Sequence, residues 1–412
     1  MARQLIIVGG GAAGFFTAIS AAEADPGLKI TILEKGPRVL AKVRISGGGR
    51  CNVTHACFDP RGLTERYPRG AKELIGPFHR FQAKETVDWF QSRGVKLKTE
   101  ADGRMFPITD SSETVIDCLL NEVRRFGIEV LCDNGAARVS RDVNDGFNVT
   151  TSKGERLRCD VLVLAMGGCR VPAACELATS LGHSLVQPVP SLFTFHIKSP
   201  LLNELAGISV PEADASVPNT PLRERGALLI THWGLSGPAI LRLSAWGART
   251  LHDSDYNFPL HVNWLPKLDR ENLAAECESR RRNQPAKLVV NLPLAPLPGR
   301  LWEQLVMLAG IDRQTRWAAL SRTALHQLIQ TLQRTELQVN GKSLNKDEFV
   351  TCGGVPLTEV NLKTMESRIC PRLYLCGEIL DIDGITGGFN FQAAWTTGWI
   401  AGRAIGGIHV EA

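Results

Sequence analysis

Gly9-Gly10-Gly11-Ala12-Ala13-Gly14 is a G-x-G-x-x-G run in the context where that pattern carries chemistry: it follows an apolar strand, Leu5 to Val8, and opens a small-residue helix, Ala12 to Ala24. Gly9 permits the turn, Gly11 lets backbone N–H groups approach a pyrophosphate, and Gly14 lets helix pack on strand. The helix N-terminus at Ala12 and Ala13 adds partial positive charge facing the phosphates. Lys29 to Leu33 reads as the next strand, and Glu34 closes it 20 residues after Gly14. A carboxylate there, with Lys35 beside it, accepts the hydroxyls of an adenosine ribose. An acid in place of an arginine favours a free 2′-hydroxyl, hence FAD or NAD over NADP.

The far end of the chain separates those two. Leu373 to Cys376 runs as a strand into Gly377-Glu378, the Gly-acid pair that brings an amide and a carboxylate to a ribityl-phosphate region. Gly384-Ile385-Thr386-Gly387-Gly388 leads into Phe389-Asn390-Phe391-Gln392 and the apolar run Ala393 to Ala401, a helix whose N-terminal amides would face a flavin ring and stabilise the charge of its reduced form. A nicotinamide dehydrogenase has no reason to complete its cofactor site with its last 40 residues, so bound FAD is expected. Two further turns belong to the same cradle. Arg158 to Met166 reads as a buried strand ending at Ala165-Met166-Gly167-Gly168. Lys42-Val43-Arg44-Ile45-Ser46-Gly47-Gly48-Gly49-Arg50-Cys51-Asn52 places three glycines between basic residues, with Lys42, Gly47, Gly48, Arg50 and Cys51 expected at the cofactor. Arg44 and Arg50 are read as phosphate or substrate contacts, with a solvated basic face as the alternative.

At roughly 100–200 residues per domain, 412 residues predict two to three domains. Hydrophobic residues at 44% and charged residues at 22% exclude disorder, coiled coil and fibre. The 39 glycines are about 9.5% of the chain, above the usual share of about 7%. The net charge of +5 is mild, but 14 Lys/Arg against 7 Asp/Glu fall between Arg38 and Arg104. Eleven scattered cysteines argue against a disulfide framework or a structural zinc site, and no metal is expected. The short apolar run at the N-terminus is below the length of a signal peptide, and no window approaches about 18 consecutive apolar residues. A cytoplasmic protein without a membrane span is expected.

The βα texture stops near Pro188 and resumes near Gly341. Residues 189–268 carry many prolines and short alternating runs, as in Leu192 to Ile197 and Ala227 to Ile230, and read as an inserted β-rich domain. Residues 269–340 read as a helical segment. Residues 1–188 and 341–412 then form a discontinuous Rossmann-like domain, and the fold class is α/β.

The strings Ser46-Gly47-Gly48-Gly49-Arg50-Cys51-Asn52 and Gly384 to Asn390, together with Thr231-His232-Trp233-Gly234-Leu235-Ser236-Gly237-Pro238 and Thr351-Cys352-Gly353-Gly354-Val355, resemble the YhiN/BaiN-like FAD-dependent flavoproteins from end to end. The resemblance implies a two-dinucleotide-binding-type FAD domain with an inserted β-barrel and helical unit. It also implies reduction of a C=C bond conjugated to a carbonyl, in uridine of large-subunit rRNA or in a small enone or steroid-like molecule. A non-catalytic FAD-containing RNA or ribosome-assembly factor is the alternative from another class. Hydride addition to a uracil ring needs a proton donor, for which Cys51, Cys352 and His232 are the candidates; the alternatives are packing for the thiols and a loop tether for the histidine. Ser236 beside His232 lacks an orienting acid for hydrolase chemistry. No second G-x-G-x-x-G follows a strand, so NAD(P)H is expected to visit the flavin transiently as reductant, with structured rRNA as a partner.

Overall fold

The computed structural model describes residues 2–142, 145–169, 172–343 and 350–407. They fall into two units, 2–191 with 350–407 and the insertion 192–343. The first is built on a seven-stranded sheet of β1 (Gln4–Val8), β2 (Lys29–Leu33), β3 (Glu129–Leu131), β4 (Val161–Leu164), β5 (Val360–Asn361), β6 (Glu366–Ser367) and β7 (Leu373–Leu375), in the order β5-β6-β7-β4-β1-β2-β3. β1 pairs in parallel with β2 and β4, and Leu5 to Val8 and Val161 to Leu164 are buried without alternation, as strands covered on both faces must be.

The first helix, Ala12–Ala24, has the expected bounds. It is buried along most of its length because the last helix, Phe389–Ile405, lies against it. Glycines at four-residue spacing allow that approach: a Cβ on Gly398 would come within 2.6 Å of the Ala13 carbonyl oxygen, and one on Gly402 within 2.6 Å of the Thr17 carbonyl oxygen. Aromatic rings fill the far side. Trp395 is fully buried, with ring centroids 4.6 Å from Phe16 and 5.8 Å from Phe90, and its Nε1–H donates to the Val53 carbonyl at 2.9 Å.

The expected strand Arg158 to Met166 is two strands in different sheets. Arg156–Cys159 belongs to a three-stranded antiparallel meander, and β4 begins at Val161. Asp160 is the break, its carboxylate accepting the Gln4 amide at 2.8 Å where the chain passes between sheets.

The insertion is a closed six-stranded barrel, ordered Thr194–Ile197, Gly234–Ser236, Arg223–Thr231, Ser209–Ser216, Asn257–Asn263, Thr335–Ser343, with the helices Arg270–Asn283, Gly299–Leu308 and Arg322–Gln333 between its last two strands in sequence. Closure leaves no open sheet edge. The closing strand starts inside the stretch read as helical and runs past 340. Its alternation is a strand signal: Thr335, Leu337 and Val339 are buried, and Glu336, Gln338 and Asn340 are exposed.

Cys169 and Cys175 form one disulfide, and the other nine cysteines are not disulfide-bonded. No helix among the described residues is long and apolar enough to cross a membrane, and no group of three or more potential ligands is placed to hold a metal ion.

Candidate cofactor site

Gly9 adopts φ +114°, and a Cβ there would lie 2.3 Å from the Ala165 carbonyl oxygen, so this glycine sets how closely β1 and the turn after β4 approach. Gly11 is different. It caps the first helix with nothing within 4 Å of a Cβ position, which leaves an open approach to the helix N-terminus above Ala12 and Ala13. Glu34 holds the loop from its rear: Oε2 accepts from the Gly10 amide at 2.9 Å and Oε1 from the Gly36 amide at 2.7 Å, while Lys35 is exposed.

The second glycine cluster ends a short helix, Ala41–Gly49, whose geometry breaks at Ser46. Gly47, Gly48 and Gly49 have φ +59°, +69° and +85°, three successive left-handed residues that only glycine supplies without strain. Gly48 and Gly49 also have nothing within 4 Å of a Cβ position.

Gly377, at φ +74°, lies over Ala13, and its amide donates to Thr397 Oγ1 at 2.9 Å. The next residue, Glu378, joins three segments: it pairs with Lys42, accepts the Thr351 amide at 2.9 Å, and stands 3.7 Å from a Cβ position on Gly167. Thr351 Oγ1 beside it is buried with no hydrogen-bond partner. The open turns at Gly11, Gly48 and Gly49, with the helix N-terminus at Ala12 and the unpartnered Thr351 hydroxyl, fit the phosphates of a dinucleotide.

The last helix begins at Gly388, φ +94°, over the strand Thr54–His55. Its N-terminal amides precede the first intrahelical bond, from Gln392 N–H to the Gly388 carbonyl, and so have no acceptor within the helix. Gln392 itself is a keystone of the protein interior: its amide oxygen accepts from Thr54 and Thr86 hydroxyls at 2.6 and 3.0 Å. Asn390 closes the preceding loop on Gly384 with two 2.8 Å bonds. Phe391 stacks on Trp395, and Phe389 on His55 at 4.8 Å. His55 was not singled out from sequence; its signal is only adjacency to Cys51-Asn52-Val53-Thr54.

The thiols are enclosed. Cys51 and Cys352 are both 0% exposed, and burial pushes the Cys51 thiol up to about 12 against a hydrogen bond with Ser46. His232 is exposed at the barrel turn between Arg223–Thr231 and Gly234–Ser236, in the second unit. A Ser–His–Glu relay does occur elsewhere, from Ser367 through His183 at 2.9 Å to Glu359 at 2.7 Å. It cannot attack a carbonyl, because the His183 side chain is fully buried and Ser367 Oγ already accepts from the Ile369 and Cys370 amides. It clamps the edge strands.

The basic stretch changes character on folding. Arg50 pairs with Glu100 at 2.6 Å and lies over the Phe106 ring; Arg44 pairs with Glu113. Glu23, Asp110, Glu113, Glu122, Glu378 and Asp383, all from outside 38–104, engage its cations. Arg44 and Arg50, the expected phosphate or substrate contacts, each stand in a partly exposed ion pair. Local charge counting could not see these partners.

Residues 3–404 match the HI0933-like protein Rossmann domain. The chain belongs to that family. Among curated relatives, a protein named ribosomal RNA dihydrouridine synthase from Escherichia coli is 31% identical over 96% of both chains. One named 3-dehydro-bile acid delta(4,6)-reductase from Clostridium scindens is 29% identical over 98% of both. The HI0933-like fold also resembles a 3-ketosteroid delta1-dehydrogenase from Sterolibacterium denitrificans, with TM-score 0.52 at 12% identity, covering 98% of this chain and 100% of that one.

Proposed function

We propose that this HI0933-like chain is an FAD-dependent oxidoreductase that reduces a C=C bond conjugated to a carbonyl, with uridine in large-subunit rRNA as its substrate. The observation that carries the FAD assignment is the set of open glycine positions, Gly11, Gly48 and Gly49, in one unit with the unpaired amides that start at Phe389. Bound FAD would supply two-electron hydride chemistry. The protein's part is to hold the pyrophosphate at the Ala12 helix terminus, the ribose at Glu34, and the ring against the last helix, whose dipole favours negative charge on it. NAD(P)H serves as the electron donor, and the protein acts in the cytoplasm.

The rRNA substrate is supported by two relatives that carry the rRNA dihydrouridine synthase name. A small enone is the second reading, favoured by the bile-acid reductase relative and by the paired state of the basic stretch. Anaerobic reduction of the flavoprotein with NADPH, followed by rRNA lacking the modification, separates them: flavin reoxidation with appearance of dihydrouridine is the expected result. Reoxidation by a steroid enone and not by RNA moves the substrate to the second reading. RNA binding with an unchanged flavin spectrum supports an assembly factor instead.

Glu34→Ala is expected to lower the flavin content of purified protein at least tenfold, since it removes both a ribose acceptor and two backbone ties of the glycine loop. Full flavin content would end its assignment. Cys51→Ala is expected to keep FAD and hold turnover within about twofold, because a side chain enclosed by protein has no path to the substrate. A drop of tenfold or more with flavin retained would return Cys51 to the role of proton donor.

A further inference from the structure

We propose that Arg69 and Asp383 form a buried clamp that sets the conformation of the 384–388 loop, which makes Arg69 a positioning residue for the bound cofactor. The inference rests on the FAD reading. Asp383 is 0% exposed, and Arg69 reaches it from a segment more than 300 residues earlier. The guanidinium is bidentate, Nε to Oδ1 and Nη2 to Oδ2, and the Ser191 hydroxyl donates to Oδ2 at 2.7 Å. The two backbones also meet in an isolated antiparallel bridge.

The same segment grips the loop twice more. Ile385 N–H donates to the Arg66 carbonyl at 2.9 Å, and the buried Tyr67 hydroxyl donates to the Phe389 carbonyl at 2.6 Å. Three of the five loop residues are glycine, and Gly387 and Gly388 have φ +134° and +94°. Such a loop has few side chains to pack and many conformations to lose, so its shape must be imposed from outside. A buried ion pair suits that task better than it suits stabilisation, because desolvation cancels much of its attraction whereas bidentate geometry fixes direction. The loop delivers the helix N-terminus at Phe389, so a change in its base moves the amides that would face the ring.

The test is the double variant Arg69→Met/Asp383→Leu, which removes both charges together and leaves neither buried alone. Its thermal midpoint is expected within a few degrees of wild type. The FAD dissociation constant is expected to rise at least tenfold, with a shifted visible spectrum and midpoint potential of the flavin that remains. Wild-type FAD affinity, spectrum and potential in a folded double variant would overturn the clamp. Should the double variant not fold, Arg69→Lys, which keeps the charge and gives up the bidentate geometry, is read by the same measurements and the same criteria. If wild-type protein itself binds no FAD, the cofactor reading fails, a result distinct from failure of the clamp.

Discussion

Gly14→Val is expected to give little soluble protein and no bound flavin. A Cβ at Gly14 would lie 2.0 Å from the Gly9 carbonyl oxygen and 3.4 Å from Ile7 Cγ2, so the helix must lift from β1 and its opening turn must distort. Overpacking against side chains typically costs about 1–3 kcal/mol, and here the obstacle is backbone that cannot rotate away, so about 3 kcal/mol or more is expected. Gly11→Ala is the informative partner. Its methyl meets no protein atom, so stability without cofactor should fall by at most about 1 kcal/mol, the scale of an N-cap change. Flavin affinity should nonetheless drop steeply, because the methyl occupies the approach of the pyrophosphate. Denaturant midpoints with and without added FAD measure both quantities. A Gly11→Ala protein with wild-type flavin affinity would remove the phosphates from that turn.

Trp395→Ala has the second large effect. The indole is fully buried between Phe16, Phe90 and Phe391, and its loss leaves the Val53 carbonyl without its donor. Truncating a buried tryptophan costs about 3–5 kcal/mol, and the orphaned carbonyl adds to it. The unfolding transition of the sheet-containing unit should move by about 10 °C or more, at roughly 2–4 °C per kcal/mol for a domain of this size. Trp246→Ala, at a site 42% exposed in the other unit, should cost clearly less, about 1–2 kcal/mol. Equal effects from the two substitutions would refute the assignment of Trp395 to the core.

The first helix and its flanking strands were legible because strand, turn and helix follow one another within 30 residues and each carries its own local signal. The left-handed conformation of Gly47 to Gly49 and the role of Gly388 as a helix cap were legible only as glycine clusters. What escaped were pairings made across the chain. The ion pairs of Arg44 and Arg50, read as phosphate or substrate contacts or as a solvated basic face, carry no signal because Glu113 and Glu100 bear no mark of their orientation in sequence. Arg69 gives no signal toward Asp383, since no periodicity links residues that distant. Strand Thr335–Ser343 was lost to the helical texture before it, although its alternation is plain. Asp160 interrupts an apolar run with one polar residue, and only the sheet to which each half pairs shows that it separates two strands.

The close packing of the first helix on the last has a consequence for how the protein is made. About 365 residues separate Ala24 from Phe389, and at roughly 5–20 residues per second a ribosome needs about 20–70 s to cover them. Throughout that interval Ala13, Phe16, Thr17, Ser20 and Ala21 lack the partner that Gly398 and Gly402 later bring against them. The nascent chain therefore carries the first helix with its packing face uncovered until the last helix is synthesised. Ribosome-bound fragments ending before residue 389 should bind chaperones and exclude flavin, and chains extended past the last helix should acquire both protection and colour together.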